Sequence, residues 1–555
     1  MLFSARHWLS SPSRVTTLTL VMMGVLALSG CGDDNTKTTA AATGAGESKT
    51  AAASTAVRDT LNFGSMKDIR DINPHLYLGE MAAQGMVFEA LTKNTPEGVK
   101  PWLAEKWDVS PDGRVYTFHL RHDVKFSDGT PFTADVVKKN VDAVLENATR
   151  HAWLDLINVI EKNEVVDAYT WKLTLKSPYF PTLIELGLTR PFRFIAPQCM
   201  KEGKSTLNGV SCLVGTGPWV LTDHKRNQIA TFTRNEGYWG KKPLLKTINW
   251  TVVPDSQTLL LSLKNGEIQL IFGADGDQLS IDAMDALQKE GKFQVIWSHP
   301  IASRAILLNS KRPITGEAAV REAIQHAINR DAIVKNILNG RETEAKTLFS
   351  KTVPGCDVPL TPREYDPKMA TEILEKDGWT MGSDGIRQKN GQPMRVTFYF
   401  NAKNAQEKTI AEAVQADLRA VGIDMPIVGE EKQSFLDRQR SGNFDLQYSL
   451  SWGAPYDPQS YLSSWRQPSH GDFQAQAGLP DKAKIDETIT SLMTEGDAAK
   501  RQQMLTWVLT SIHESGVYVP ISFSRIKAVY SPDLDGVGFD VTQYEIPFEA
   551  MHFKK

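Results

Sequence analysis

The chain has 555 residues, 41% of them apolar and 23% charged, with a formal net charge of −3. This balance fits an ordinary soluble protein and implies neither nucleic acid nor a strongly charged polymer as partner. Beyond an export segment, about 500 residues remain, too many for one core and enough for two or three lobes.

Residues 1–30 read as that export segment. Arg6, His7 and Arg14 make a basic lead, an apolar run extends from Val15 to Leu28, and it stops at Leu28-Ser29-Gly30-Cys31. The run is too short to cross a bilayer comfortably, so it reads as a cleaved signal. Its ending resembles a bacterial lipobox, which makes Cys31 the expected lipid-modified first residue of the mature chain. Residues 31–57, with Asp33, Asp34 and many threonines and alanines but no apolar period, read as a flexible tether. Gly32 after Cys31 hints against retention at the inner membrane of a two-membrane cell. The expected location is the cell envelope, lipid-anchored and facing the periplasm, or the exterior in a single-membrane bacterium.

Strand and helix signals then alternate. Val115–Leu120 reads as a strand, and Thr133 as the cap of a helix with Val136, Val137, Val141, Val144 and Leu145 on one face. Tyr169–Leu175 is another strand. Cys199 and Cys212, separated by a Lys/Gly/Ser loop in an exported chain, fit a disulfide; metal binding by these thiols is the weaker reading because the chain has no C-x-x-C pair. Cys356 is then the odd thiol. Glu317–Ile328 carries Val320, Ala323, Ile324, Ala327 and Ile328 on one stripe, with His326 read as a packing or surface histidine. Asp366-Pro367 caps a helix leading into Met369, Ile373 and Leu374. Met394–Phe400, a helix marked by Ile410, Val414, Leu418 and Val421, and Ile423–Val428 form a βαβ unit, which predicts a partly parallel sheet.

Leu103–Val137 with Trp107, Asp112-Gly113, Asp123-Val124-Lys125-Phe126 and Gly129; Gly215-Thr216-Gly217-Pro218-Trp219; Arg234–Gly240; Gly266-Glu267-Ile268; Val320–Ala323; and Tyr365-Asp366-Pro367 form a set. Together they resemble one family, the solute-binding proteins of bacterial peptide and nickel ABC importers (family 5). The resemblance implies a two-lobed α/β periplasmic-binding-protein fold (class II, family 5 type) with a hinge and an interlobe cleft. Lobe I is then 58–299 plus 525–555, and lobe II is 300–524. Gly217 and Gly237 also have a plain reading as turn residues, and Gly215-Thr216-Gly217 lacks the third glycine of a dinucleotide fingerprint.

Within the family the resemblance is to nickel-binding members. It is carried by Arg150-His151-Ala152-Trp153, Arg190–Pro197, Trp452–Pro458, Pro468-Ser469-His470 and Glu545–Glu549. It implies that Arg150 and Arg190 hold the carboxylates of a metal chelate, that Trp153, Trp452 and Tyr456 are aromatic walls, and that His470 reaches the metal. Tyr77 and Met81 fall at the cleft mouth. Leu436 and Tyr544 depart from the pattern, which leaves the chelator open.

The residues themselves point the same way. The chain has 11 histidines with no close pair at helical ligand spacing, and His119 and His122 sit in a strand-like run, where they would face opposite sides. One imidazole cannot hold bare Ni²⁺ tightly. A chelate needs only charge neutralisation, flat walls and one further ligand, and a planar guanidinium grips a carboxylate through two hydrogen bonds. Each group has a bland alternative: a surface charge for Arg150, a structural ion pair for Arg190, a solvated His470, and core positions for Trp452 and Tyr456.

The expected function is therefore an importer receptor that binds nickel as a small-molecule chelate, such as nickel with histidine, and delivers it to permease subunits. No cofactor is held permanently, and the receptor is expected to be a monomer. The alternative on the same scaffold is an oligopeptide or dipeptide receptor, in which Asp457 grips the ligand's amino terminus. An envelope hydrolase is not expected: Gly-x-Ser-x-Gly, His-Glu-x-x-His and P-loop patterns are absent, and His513-Glu514 lacks its second histidine.

Overall fold

The computed structural model describes residues 58–274 and 278–554. The segments read from the sequence as an export signal and a tether, with Cys31, lie outside them. Among the described residues no helix is long and apolar enough to cross a membrane.

Alternation decides the strands. In Val115–Leu120, Tyr116, Phe118 and Leu120 are buried while Val115, Thr117 and His119 are half-buried, as a period-2 pleat requires. This strand pairs antiparallel with Ala104–Val109 and with Thr170–Leu175, and Ile160–Asp167 completes a four-stranded sheet. Ala134–Glu146 is the predicted helix and buries Val136, Val137, Val141 and Val144. Thr133 occupies the cap position, but its hydroxyl makes no cap bond. The first amide of the helix, Ala134, instead donates to the Ala168 carbonyl at 2.9 Å, so the exposed donor is satisfied from the sheet.

Two larger sheets form the body. The seven-stranded sheet runs in the order Gln294–Trp297, Ile526–Tyr530, Leu270–Ala274, Thr60–Ser65, Thr247–Val252, Ile229–Arg234, Trp219–Lys225. The six-stranded sheet runs Thr343–Glu344, Tyr518–Ser524, Ala302–Leu308, Leu446–Leu450, Phe398–Asn401, Ile427–Glu430. The chain passes from the first sheet to the second between Trp297 and Ala302, and returns between Ser524 and Ile526.

The expected βαβ unit is present: Phe398–Asn401 and Ile427–Glu430 pair in parallel around the helix Ala405–Ala420. Both strands begin later than the apolar runs suggest, at Phe398 rather than Met394 and at Ile427 rather than Ile423. Phe398 takes the Pro426 carbonyl at 2.9 Å, but Pro426 has no N–H to return, which interrupts the ladder. In the second sheet's helices, Val320, Ala323, Ile324, Ala327 and Ile328 are all buried, and Asp366 caps the helix Pro367–Lys376 through its side chain. Met369 departs from the predicted stripe and is exposed, whereas Ala370 and Leu374 are buried. His326 is a packing residue, with Nδ1 against the Glu364 carbonyl at 2.8 Å.

Cys199 and Cys212 are disulfide-bonded, with a Cα–Cα distance of 4.8 Å. Cys356 is a free, buried thiol whose pKa burial pushes up.

The carboxyl ends of strands from both large sheets meet at one cleft. Ser65, Gly273, Asn401 and Leu450, at or next to the ends of Thr60–Ser65, Leu270–Ala274, Phe398–Asn401 and Leu446–Leu450, line the same cavity. Open α/β sheets bind ligands beyond such strand ends, because loops leave there without disturbing the packed sheet.

Candidate functional site

A cavity of about 230 Å³ is walled by Tyr77, Met81, Trp153, Arg190, Trp452, Tyr456, His470 and Tyr544. Its wall contains no acidic side chain.

Trp452 and Tyr456 stand in the turn that leaves the strand Leu446–Leu450. Gly453 makes that turn with φ of 76°, and a Cβ there would come within 3.0 Å of Ile301, so a side chain is disfavoured both by conformation and by space. The amides of Tyr456 and Asp457 both donate to the Gly453 carbonyl, at 2.8 and 3.0 Å. Trp452 is the hub of the aromatic wall. Its ring centroid lies 5.1 Å from Trp153, 6.0 Å from Tyr456 and 5.8 Å from His470, each edge to face, the arrangement that ring quadrupoles favour. Tyr456 extends the wall to Tyr544 at 5.4 Å.

Tyr77 enters from the loop before the helix Met81–Val87. Gly79 permits this path, since a Cβ there would meet the Asp71 carbonyl at 2.4 Å. The Tyr77 hydroxyl accepts from Trp153 Nε1 at 2.6 Å and lies 2.6 Å from His151 Nδ1. These two contacts tie Tyr77, Trp153 and His151 into one buried network. Burial holds the His151 pKa down at about 4, so the ring is neutral at physiological pH, and burial pushes the Tyr77 phenol up.

Arg190 packs its guanidinium 4.8 Å from the Tyr77 ring centroid and donates to the Gly79 carbonyl at 3.3 Å. It makes no ion pair with a described residue, and burial lowers its pKa from the ordinary value. A partly desolvated guanidinium without a carboxylate partner is poised for an anion. Neighbouring Arg193 is different. It pairs with Glu545 and donates to the Phe88 carbonyl at 2.8 Å and the Leu188 carbonyl at 3.1 Å, so its fork is spent on holding the fold.

His470 lies just before the short helix Gly471–Gln476 and is half-buried. Burial lowers its pKa from the usual 6.5, against the opposing charge of Asp472. It is therefore neutral near pH 7, the form that ligates a metal. Among the described residues no group of three or more His, Cys, Asp or Glu could hold a metal ion, so a bare ion has no ready cage here.

Of the residues expected in the site, Tyr77, Met81, Trp153, Arg190, Trp452, Tyr456 and His470 share this wall. Arg150 is outside it. Its side chain is exposed, and its guanidinium lies over the Tyr77 ring at 5.3 Å, because the short helix Ala148–His151 turns His151 rather than Arg150 into the packed face. Tyr544 borders the cavity, whereas Leu436, on the helix Lys432–Ser441, is not part of its wall. Sequence reasoning missed His151 as the partner that orients Tyr77; its place between Arg150 and Trp153 was the available signal. Cys199 and Cys212 are joined in their disulfide, and His119 and His122 are separate, one facing Asp108 at 3.0 Å and the other stacked on Tyr169.

Asp457 is not on the wall of this cavity. It is 5% exposed, accepts from Ser451 Oγ at 2.5 Å, and burial raises its pKa to about 7. Its other carboxylate oxygen is buried without a hydrogen-bond partner.

A family model, bacterial extracellular solute-binding proteins, family 5 Middle, matches residues 98–473. The chain belongs to this family. It is 44% identical over 488 residues, covering 87% of this chain and 93% of the relative, to the nickel-binding periplasmic protein of Escherichia coli (strain K12). It is also 44% identical to the crystal structure of NikA from Brucella suis in complex with Fe(III)-EDTA, with a TM-score of 0.87 over 89% of this chain and all of that one (100%). NikZ from Campylobacter jejuni, solved in complex with Ni(L-His), shares the fold at 22% identity and a TM-score of 0.76, covering 89% of this chain and 99% of that one. The two-lobed α/β architecture of family 5 solute-binding proteins is thus that of this chain.

Proposed function

We propose that this protein is the envelope receptor of an ABC importer and captures nickel as a small-molecule chelate, nickel with histidine being the simplest case. The observation that carries the reading is one cavity in which an unpaired guanidinium, a neutral imidazole and edge-packed aromatic rings converge and no carboxylate intrudes. Arg190 neutralises a chelator carboxylate, Trp153, Trp452 and Tyr456 exclude water and stack on its rings, and His470 completes the metal's shell. Arg150 adds positive field from outside the wall. The relatives named for nickel or solved with metal complexes support this choice of cargo.

The lobes, 58–299 with 525–555 and 300–524, close on the chelate about the two crossings between the large sheets, and the closed form presents the cargo to permease subunits. Cys31 carries the lipid anchor, residues 31–57 tether the monomeric receptor to its membrane, and the protein performs no catalysis. The chelate reading is favoured over the peptide one because Asp457, buried and bonded to Ser451 through one oxygen, is not on the wall of this cavity.

Calorimetry with Ni²⁺ alone, with Ni²⁺ plus free L-histidine and with a panel of metal-free dipeptides tests the proposal. Heat and saturation are expected only for the histidine complex. Tight binding of dipeptides without metal sinks it. Mass spectrometry of the membrane fraction tests the anchor, which an unmodified Cys31 would remove.

A further inference from the structure

Trp153 and His470 reach the cavity from the two sides of the crossing between Trp297 and Ala302, Trp153 from before it and His470 from after it. Both rings pack on Trp452, at 5.1 and 5.8 Å. Ring contacts alone leave room to slide, whereas a ligand atom must meet its metal within roughly 0.2 Å. What sets the imidazole against the opposite wall has to be sought behind the rings.

Two polar bonds there tie the segments together. Gln467 Nε2 donates to the Ala152 carbonyl at 3.0 Å, and Arg466 forms an ion pair with Asp155. The acceptors, Ala152 and Asp155, bracket Trp153 in the chain, and the donors are adjacent residues just ahead of His470. The His470 amide in turn donates to the Gln467 carbonyl at 2.9 Å. Gln467 therefore grips the opposite segment with its side chain and His470 with its backbone. Two points fix rotation as well as separation, where one would act as a pivot. The pair is no surface contact: the side chains of Arg466 and Asp155 are only 17% and 15% exposed. Arg466 Nη1 is steadied by Thr490 Oγ1 at 2.7 Å. The same seam continues inward, where the fully buried Glu185 carboxyl accepts from Ser460 Oγ at 3.1 Å and from the Leu156 amide at 3.3 Å.

Resting on the nickel-chelate reading and on the lobes proposed above, we propose that Asp155, Arg466 and Gln467 are positioning residues for the metal. They form a clasp that shuts between the lobes and sets His470 opposite Trp153, so that the imidazole reaches the metal of the bound chelate. A half-buried ion pair offsets its desolvation only while both partners are in place. When the lobes part, water takes up each charge separately, so the clasp favours the closed arrangement alone. Arg190 acts apart from it, since its guanidinium is held on the Gly79 carbonyl and the Tyr77 ring.

The test is calorimetry of the full chain with Ni²⁺ and L-histidine, on the wild type, Arg466→Ala, His470→Ala and the double variant. A clasp that acts through His470 gives non-additive losses. Arg466→Ala should weaken binding about tenfold in the chain that has His470 and less than about threefold in the chain that lacks it. Arg466→Lys should recover part of the loss. Gln467→Ala removes the second bond and leaves no charge behind, so it decides the question should Arg466→Ala fail to fold; its loss of about fourfold should likewise vanish in His470→Ala. Equal losses with and without His470, or losses under about twofold in both Arg466→Ala and Gln467→Ala, overturn the clasp and leave the nickel reading standing. A wild-type chain that does not bind the complex removes both.

Discussion

Replacing Arg190 with alanine takes away the cavity's only guanidinium and two of its local contacts, the Gly79 carbonyl bond at 3.3 Å and the packing on Tyr77 at 4.8 Å. A bidentate guanidinium–carboxylate pair contains two charge-assisted hydrogen bonds, worth about 1.5–3 kcal/mol each. Arg190 is only half-buried, so water screens the pair and the lower figure applies to each bond. The sum is about 3 kcal/mol, or a loss of affinity of roughly 150-fold for a nickel–histidine complex. Arg190→Lys keeps the charge but loses the planar fork, and should recover part of the loss without reaching wild type. Calorimetry at fixed ionic strength measures both variants, and thermal unfolding checks that Tyr77 has not collapsed. A loss smaller than about threefold in Arg190→Ala would refute the assignment, because no anion of the ligand could then rest on this side chain.

The imidazole supplies a pH test. The His470 pKa lies below its usual 6.5, so the ring is neutral at pH 7 and is lost as a ligand when pH falls through that lowered value; affinity should drop in acid, and His470→Ala should be weaker near neutrality and flatter with pH. Glu185 is fully buried, receives hydrogen bonds from Tyr179 and Ser460, and has its pKa raised by burial to about 8. The fold therefore holds a proton that the unfolded chain releases near 4.5, so this stability is present below 4.5 and lost as pH rises through about 8; Glu185→Gln should flatten the alkaline fall of the melting temperature. Cys212→Ser opens the disulfide to Cys199, which closes a loop with a sequence separation of 13, and should lower denaturant stability by about 3 kcal/mol, an effect that reductant reproduces on the wild type.

Much of this fold is legible in the sequence where one periodicity dominates. The stripe from Val320 to Ile328 reads directly as a buried helix face, and the Asp366-Pro367 cap forms through the Asp366 side chain. Legibility fails where a tertiary contact overrides local pattern. Pro426 shortens two strands that the apolar runs of 394–400 and 423–428 suggest, and the Ala168 carbonyl takes the place of a Thr133 side-chain cap. The aromatic wall was readable from the Trp452–Pro458 and Pro468–His470 segments together. The difference between Arg150 and Arg190 was not, because it depends on which residue of a one-turn helix faces Tyr77, and His151 wins that place. The fate of Asp457 is of the same kind, since only the fold brings Ser451 against its carboxylate. The cleft at the strand ends is the least legible part, for its walls come from positions as far apart in the chain as Ser65 and Asn401.

A crystal structure of the chain loaded with Ni²⁺ and L-histidine tests the central claim most directly. It should show the complex between Trp153 and Trp452, a chelator carboxylate on the Arg190 guanidinium, and a His470 ring nitrogen in the metal's coordination shell. A metal held elsewhere, or an extended peptide paired to backbone with Arg190 and His470 uninvolved, would contradict the account.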